Sequence, residues 1–197
     1  VMILSDGVIG QMMEKVELAD QRPRWTDEEI RQMHSSWATT GKTADREANI
    51  ITSLELDPYA QESFNYKIFE KYARCEAEEV RFEEYMCEDA DYLIVAFGSS
   101  ARICKETIEM ARAEGYKVGL IRPITLWPFP KAVLNAAADK VKAFISVELS
   151  MGQMIEDVKL ATQCKLPVVL CNRMGGNVPS CAEVCEAIKR IYKEYVK

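Results

Sequence analysis

From Ala90 onward, short apolar runs alternate with amphipathic stretches, the pattern of buried strands joined by crossover helices. Tyr92 to Phe97 is a continuous apolar run ending at Gly98-Ser99-Ser100, which predicts a strand and a tight turn. Ile103, Thr107, Met110 and Ala111 then recur on one face of a helix that stops at Gly115. Lys117 to Arg122 reads as the next strand, and Pro128 and Pro130 open a short Ala-rich helix. Ala143 to Glu148 is a third strand, and Ser150-x-x-Gln153 predicts the cap of a helix carrying Met154, Val158 and Ala161. Pro167 to Cys171 gives a fourth, Gly175-Gly176 turns the chain, and Ser180-x-x-Glu183 forms a capping box. Val184, Ile188, Ile191 and Tyr195 mark the buried stripe of the last helix. The expected fold is α/β: three layers, α/β/α, around a mostly parallel sheet of about five strands, preceded by an irregular helical linker.

The first half is less regular. Val1-Met2-Ile3-Leu4 followed by Ser5-Asp6-Gly7 reads as a strand already running into a turn, and a chain cut from a larger protein is expected. Between Ile9 and Leu56, Arg22-Pro23, Thr39-Thr40-Gly41 and the capping box Thr26-x-x-Glu29 predict alternating short helix and loop. Asp57-Pro58 is a good helix start, and Phe64, Ile68, Tyr72 and Cys75 share one face of a helix expected to reach about Tyr85. Glu76, Glu78, Glu79, Glu83, Glu84, Glu88 and Asp89 form an acidic run, read as a solvated face or as a site for a cation or a basic partner.

Composition narrows the function classes. The 197 residues carry 25 Lys plus Arg against 31 Asp plus Glu, a net charge of −6, and 48% hydrophobic residues, enough for a sizeable core. There is no basic field for nucleic acid, and no apolar run of the roughly 18 to 20 residues that span a bilayer. Seven scattered Cys without CxxC and a single His, His34, encode neither a disulfide framework nor a zinc or iron–sulfur site. Reduced thiols and a cytoplasmic setting are expected.

Open parallel sheets place ligands or contacts at the carboxyl ends of their strands. Three places qualify here: Gly98-Ser99-Ser100, Arg122 to Thr125, and Glu148 to Gln153. The first suits a phosphate on a helix N-terminus, although neither GxGxxG nor a P-loop is present, so a plain turn is the alternative. Glu148 reads as a general base, as a cap for the following helix, or as a subunit contact. Cys104, Cys181 and Cys185 lack a partnering His and read as core residues rather than nucleophiles. Trp25, Trp37, Trp127, Met12 and Met13 read as packing or contact residues.

A longer ordered series carries a family likeness. Ala90 to Ser99, Glu114 to Pro130 (with Arg-Pro-Ile-Thr-Leu-Trp-Pro-Phe-Pro at its end) and Val147-Glu148-Leu149-Ser150-Met151-Gly152-Gln153-Met154 resemble the transketolase C-terminal-like domain of 2-oxoacid:ferredoxin oxidoreductases. Val1 to Met12 resembles the last strand and exit of the pyrimidine-binding domain of the same subunit, and Thr40-Gly41 with Arg46 resembles its linker. The likeness is greatest to the 2-oxoisovalerate (3-methyl-2-oxobutanoate) type. Relatives of the 2-oxoglutarate type often carry a His soon after the linker Thr-Gly, where Thr43, Ala44 and Asp45 stand here.

The resemblance implies an enzyme that decarboxylates a 2-oxoacid on thiamine diphosphate with Mg²⁺, passes electrons through iron–sulfur clusters to ferredoxin, and hands the acyl group to coenzyme A. It implies that none of these cofactors is held by this chain, and that no catalytic, cofactor-binding or metal residue lies in it. The division expected is residues 1–20 as exit of the pyrimidine-binding domain, 21–89 as linker and acidic helix, and 90–197 as the transketolase C-terminal-like domain. Its expected task is subunit assembly with the thiamine diphosphate-binding and iron–sulfur subunits, including a homodimer contact. The candidate contact residues are Asp6, Gly7, Gly10, Gln11, Gly98, Ser99, Arg122, Glu148, Gly152 and Gln153. The competing expectation is a free-standing nucleotide- or anion-binding α/β module.

Overall fold

The apolar runs of the second half become the central strands of one sheet. The computed structural model describes residues 2–13, 15–18, 20, 25–42 and 44–196. The expectations on Val1, Arg22-Pro23 and Thr43 therefore lie outside the described residues. The chain divides into two units, one of residues 1–12 with 72–197 and one of residues 13–71.

In the larger unit the strands are β1 (Phe82–Tyr85), β2 (Tyr92–Val95), β3 (Val118–Pro123), β4 (Ala143–Glu148) and β5 (Val168–Asn172), in the order β1-β3-β2-β4-β5. β3, β2, β4 and β5 run parallel, and β1 pairs antiparallel with β3. The helices are α1 (Gly7–Gly10), α4 (Gly98–Ala113), α5 (Lys131–Ala138), α6 (Met154–Ala161) and α7 (Cys181–Ile191), α7 being extended by a π-helical turn over Tyr192–Val196.

Alternation along β2 builds the two cores. Tyr92 and Ile94 face one side with Cys104 and Ile108 of α4 and Val184, Ile188 and Ile191 of α7. Leu93 and Val95 face the other with Leu134 of α5 and Met154 and Val158 of α6. The three-layer α/β/α fold expected from the sequence is the fold found.

Five local expectations are corrected. Residues 2–6 form no strand: Met2, Ile3 and Leu4 pair with no sheet edge, all three are more than four-fifths exposed, and α1 follows with Asp6 as its N-cap, accepting the Val8 N–H at 3.1 Å. The long helix stops at Glu78, and Phe82–Tyr85 is strand β1. Its alternation turns Glu83 toward Lys105 and Arg122 and the Tyr85 hydroxyl toward Glu109, at 2.7 Å, so partners distant in sequence overrode helix-favouring glutamates. Gly98-Ser99-Ser100 is the first turn of α4, not a turn before it, and Met110 points outward, 47% exposed. Ser150 and Gln153 form no capping box, because Glu148 takes the cap.

The β1–β2 connection depends on a close approach. A Cβ on Gly119 would stand 2.5 Å from the Met86 carbonyl oxygen and 2.9 Å from Leu93 Cδ2, so only glycine fits. Arg112 holds the same turn, donating to the carbonyls of Met86 at 2.7 Å and Val118 at 2.8 Å and to Asp89 at 2.8 Å.

In the smaller unit, α2 (Asp27–His34) opens with the expected capping box, Thr26 and Glu29 bonding each other's backbone N–H. Arg46 donates to the Thr40 hydroxyl at 2.6 Å, and the Asn49 amide donates to the carbonyls of Ser35 and Ala38. α3 (Pro58–Glu78) begins in this unit, with Asp57 accepting the Tyr59 N–H, and runs into the larger one. No residue of α3 is buried, those of the face shared by Phe64, Ile68, Tyr72 and Cys75 included.

Candidate functional site

β2 and β4 are neighbours, yet the helices that follow them leave to opposite faces of the sheet, α4 packing beside α7 and α6 beside α5. The chain order therefore reverses between the ends of β2 and β4, the point at which open α/β sheets form a crevice. A cavity of about 490 Å³ lies there. Ile9, Phe97, Leu126, Leu149 and Met154 supply its apolar walls, and Asp6, Ser99, Glu148, Gln153 and Asp157 its polar groups.

Glu148, 3% exposed, is the anchor of this region. Its carboxylate accepts from the hydroxyls of Ser146 (2.7 Å) and Ser150 (2.8 Å) and from the backbone N–H groups of Gln153 (2.8 Å), Met154 (2.9 Å) and Ile155 (2.8 Å). The last three are donors of the opening turn of α6, which a helix cannot satisfy internally. Burial alone pushes this carboxyl upward, but the bonds from Ser146, Ser150, Met154 and Gln153 outweigh it and hold it below the usual range. Saturated by five donors, Glu148 is the helix cap rather than a base.

Gly152, in the loop that Glu148 organises, has φ +106°, and a Cβ there would press on Ile155 and Leu170 at 3.1 and 3.2 Å. At the opposite wall α4 starts without a capping side chain, and the Ser99 hydroxyl is buried with no hydrogen-bond partner.

Of the candidate contact residues, Asp6, Gly98, Ser99, Glu148 and Gln153 meet at this cavity. Gly7, Gly10 and Gln11 belong to α1 and its end, and Gly152 to the loop before α6, all outside the lining. Arg122 is turned to Glu83 at 2.8 Å and takes no part. Sequence reasoning missed Leu126 and Asp157 as cavity residues. No local signal marks them, since only the sheet order brings α1, the β3–α5 loop and α6 together.

The other chemistries find no geometry. The acidic run is dispersed into separate ion pairs, Glu76 with Lys131, Glu79 with Arg81, Glu83 with Lys105 and Arg122, and Asp89 with Arg112. Burial pushes up the thiols of Cys104, Cys171 and Cys185, opposite to what a nucleophile needs. Among the described residues no group of three His, Cys, Asp or Glu side chains suits a metal ion, and no helix is long and apolar enough to cross a membrane. Glu148, saturated by five donors, has no free coordination for a magnesium ion.

Residues 90–184 match the pyruvate:ferredoxin oxidoreductase core domain II family. The ketoisovalerate oxidoreductase subunit VorB of Methanothermobacter thermautotrophicus is 44% identical over 195 residues, covering 97% of this chain and 52% of that protein. The 2-oxoglutarate synthase subunit KorA of Methanothermobacter marburgensis is 25% identical over 213 residues, covering 95% of this chain and 55% of that protein. The chain thus spans about half the length of the curated relatives it matches. Among solved structures, the 2-oxoglutarate:ferredoxin oxidoreductase of Magnetococcus marinus, determined with 2-oxoglutarate, coenzyme A and succinyl-CoA bound, superposes with a TM-score of 0.64. The likeness is 24% identical and covers 75% of this chain and 27% of that one, and it shows the shared fold.

Proposed function

We propose that the chain, whose residues 90–184 match the pyruvate:ferredoxin oxidoreductase core domain II family, is the assembly-forming part of a 2-oxoacid:ferredoxin oxidoreductase subunit of the ketoisovalerate type. The reaction would be oxidative decarboxylation of a branched-chain 2-oxoacid to its acyl-coenzyme A, with the electrons passed to ferredoxin. One observation carries the substrate reading: identity along nearly the whole chain is 44% to a ketoisovalerate oxidoreductase subunit and 25% to a 2-oxoglutarate synthase subunit.

In this reading thiamine diphosphate, Mg²⁺ and the iron–sulfur clusters are held elsewhere in a cytoplasmic complex, and coenzyme A is a co-substrate. The saturated Glu148 and the raised thiols support a non-catalytic role. Residues 90–197 serve as the transketolase C-terminal-like unit that joins the other subunits and a second copy of its own. Asp6, Ser99 and Gln153 are the contact candidates that share one cavity. The rival reading, an anion-binding module at Gly98-Ser99-Ser100, requires a phosphate beside Asp6 and Asp157.

The test is anaerobic co-expression of the intact subunit with its genomic neighbours. Retention of the chain in a complex that reduces viologen with a 2-oxoacid and coenzyme A is expected. A cofactor-loaded complex without that activity contradicts the reading.

A further inference from the structure

The cavity between β2 and β4 is only partly filled by the chain itself. Ile9 covers one side, its Cδ1 lying 3.9 Å from where a Cβ of Gly98 would stand. Phe97, Leu126 and Leu149 remain 39%, 47% and 37% exposed around the rest of it. Apolar surface left open in a concave crevice marks a place where another molecule packs.

The charge at this crevice narrows the occupant. Asp6 and Asp157 both line it, both are exposed, and neither has an ion-pair partner among the described residues. Glu148 adds nothing, being consumed by α6. An anion would meet two unpaired carboxylates, and a bare cation would leave the apolar walls wet. An apolar side chain with a neighbouring ammonium or guanidinium satisfies both at once.

We propose that this crevice docks a segment of another subunit, in which an apolar side chain fills the cavity and an adjacent Lys or Arg meets Asp6 and Asp157. This rests on the reading of the chain as an assembly domain, and it names the chemistry of the partner.

The test uses the co-expressed complex. A photoreactive benzoylphenylalanine in place of Leu126 is expected to cross-link to another subunit, at a peptide with Lys or Arg beside an apolar residue. The double variant Asp6→Asn/Asp157→Asn keeps the α1 cap, since Asn caps as well as Asp. It is expected to raise the subunit dissociation constant about tenfold and to flatten its salt dependence, as expected for charge pairs that fix an interface. Glu156→Gln, on α6 but outside the cavity, should change neither. Cross-links confined to this chain or to uncharged peptides, or a double variant that dissociates like the wild type, would overturn the proposal.

2-Oxoacid oxidation read on the same preparation separates the two ideas. An active complex with unaffected dissociation sinks the docking alone, and a cationic cross-link in an inactive complex sinks the oxidoreductase reading alone. A chain that joins no co-expressed subunit contradicts both.

Discussion

The carboxylate of Glu148, the last residue of β4, accepts the backbone N–H of Met154, the first residue of α6, at 2.9 Å. A strand end and a helix start are thus locked by one buried charge, and the loop between them becomes a wall of the crevice.

Glu148→Gln keeps the size but puts an amide nitrogen against a set of donors. Loss of charge-assisted bonds in a buried site costs about 2–4 kcal/mol. Urea unfolding should show that loss, with the slope against denaturant unchanged.

The same carboxyl makes stability pH-dependent. Its folded pKa lies below the ordinary value, so the stabilisation is present above the unfolded pKa, near 4.3, and is lost as pH falls through the folded one. Thermal melts from pH 6 down to about 2.5 should show an acid decline in the wild type that is shallower in Glu148→Gln.

Gly119→Ala should destabilise by about 1–3 kcal/mol, because the Met86 carbonyl is backbone and cannot swing away from the added methyl. Arg112→Met removes two bonds from the same turn and one from β3, and should cost a similar amount. The double variant should cost less than the sum, since both act on one segment.

Thiol accessibility should rank the cysteines. Cys164 is exposed and Cys104 is buried with its thiol pushed up by burial, so dithionitrobenzoate should label Cys164 quickly and reach Cys104 only on unfolding. Mass spectrometry of partially labelled protein reads the order.

Much of the second half was legible because its local signals agree with its tertiary setting. Ala143 to Glu148 is a strand at the expected bounds, and Ser180 and Glu183 form the expected box. Phe82 to Tyr85 was misread because two adjacent glutamates favour helix locally. Their strand is fixed by Lys105 and Arg122, 22 and 39 residues from Glu83, and by pairing with β3. Ser150 and Gln153 satisfied the sequence rule for a cap, but a buried carboxylate competing for the same donors won. The crevice was visible only as strand ends. That Asp6 and Asp157 would share it depends on the sheet order β3-β2-β4, which periodicity does not encode.

The central claim, a ketoisovalerate-type oxidoreductase subunit, is tested most directly by the specificity of the assembled enzyme. Coenzyme A-dependent viologen reduction by the anaerobically purified complex would be compared for 2-oxoisovalerate, pyruvate and 2-oxoglutarate. The account predicts the highest kcat/KM for 2-oxoisovalerate. Preference for 2-oxoglutarate or pyruvate, or no turnover of any of the three with clusters and thiamine diphosphate in place, would contradict it.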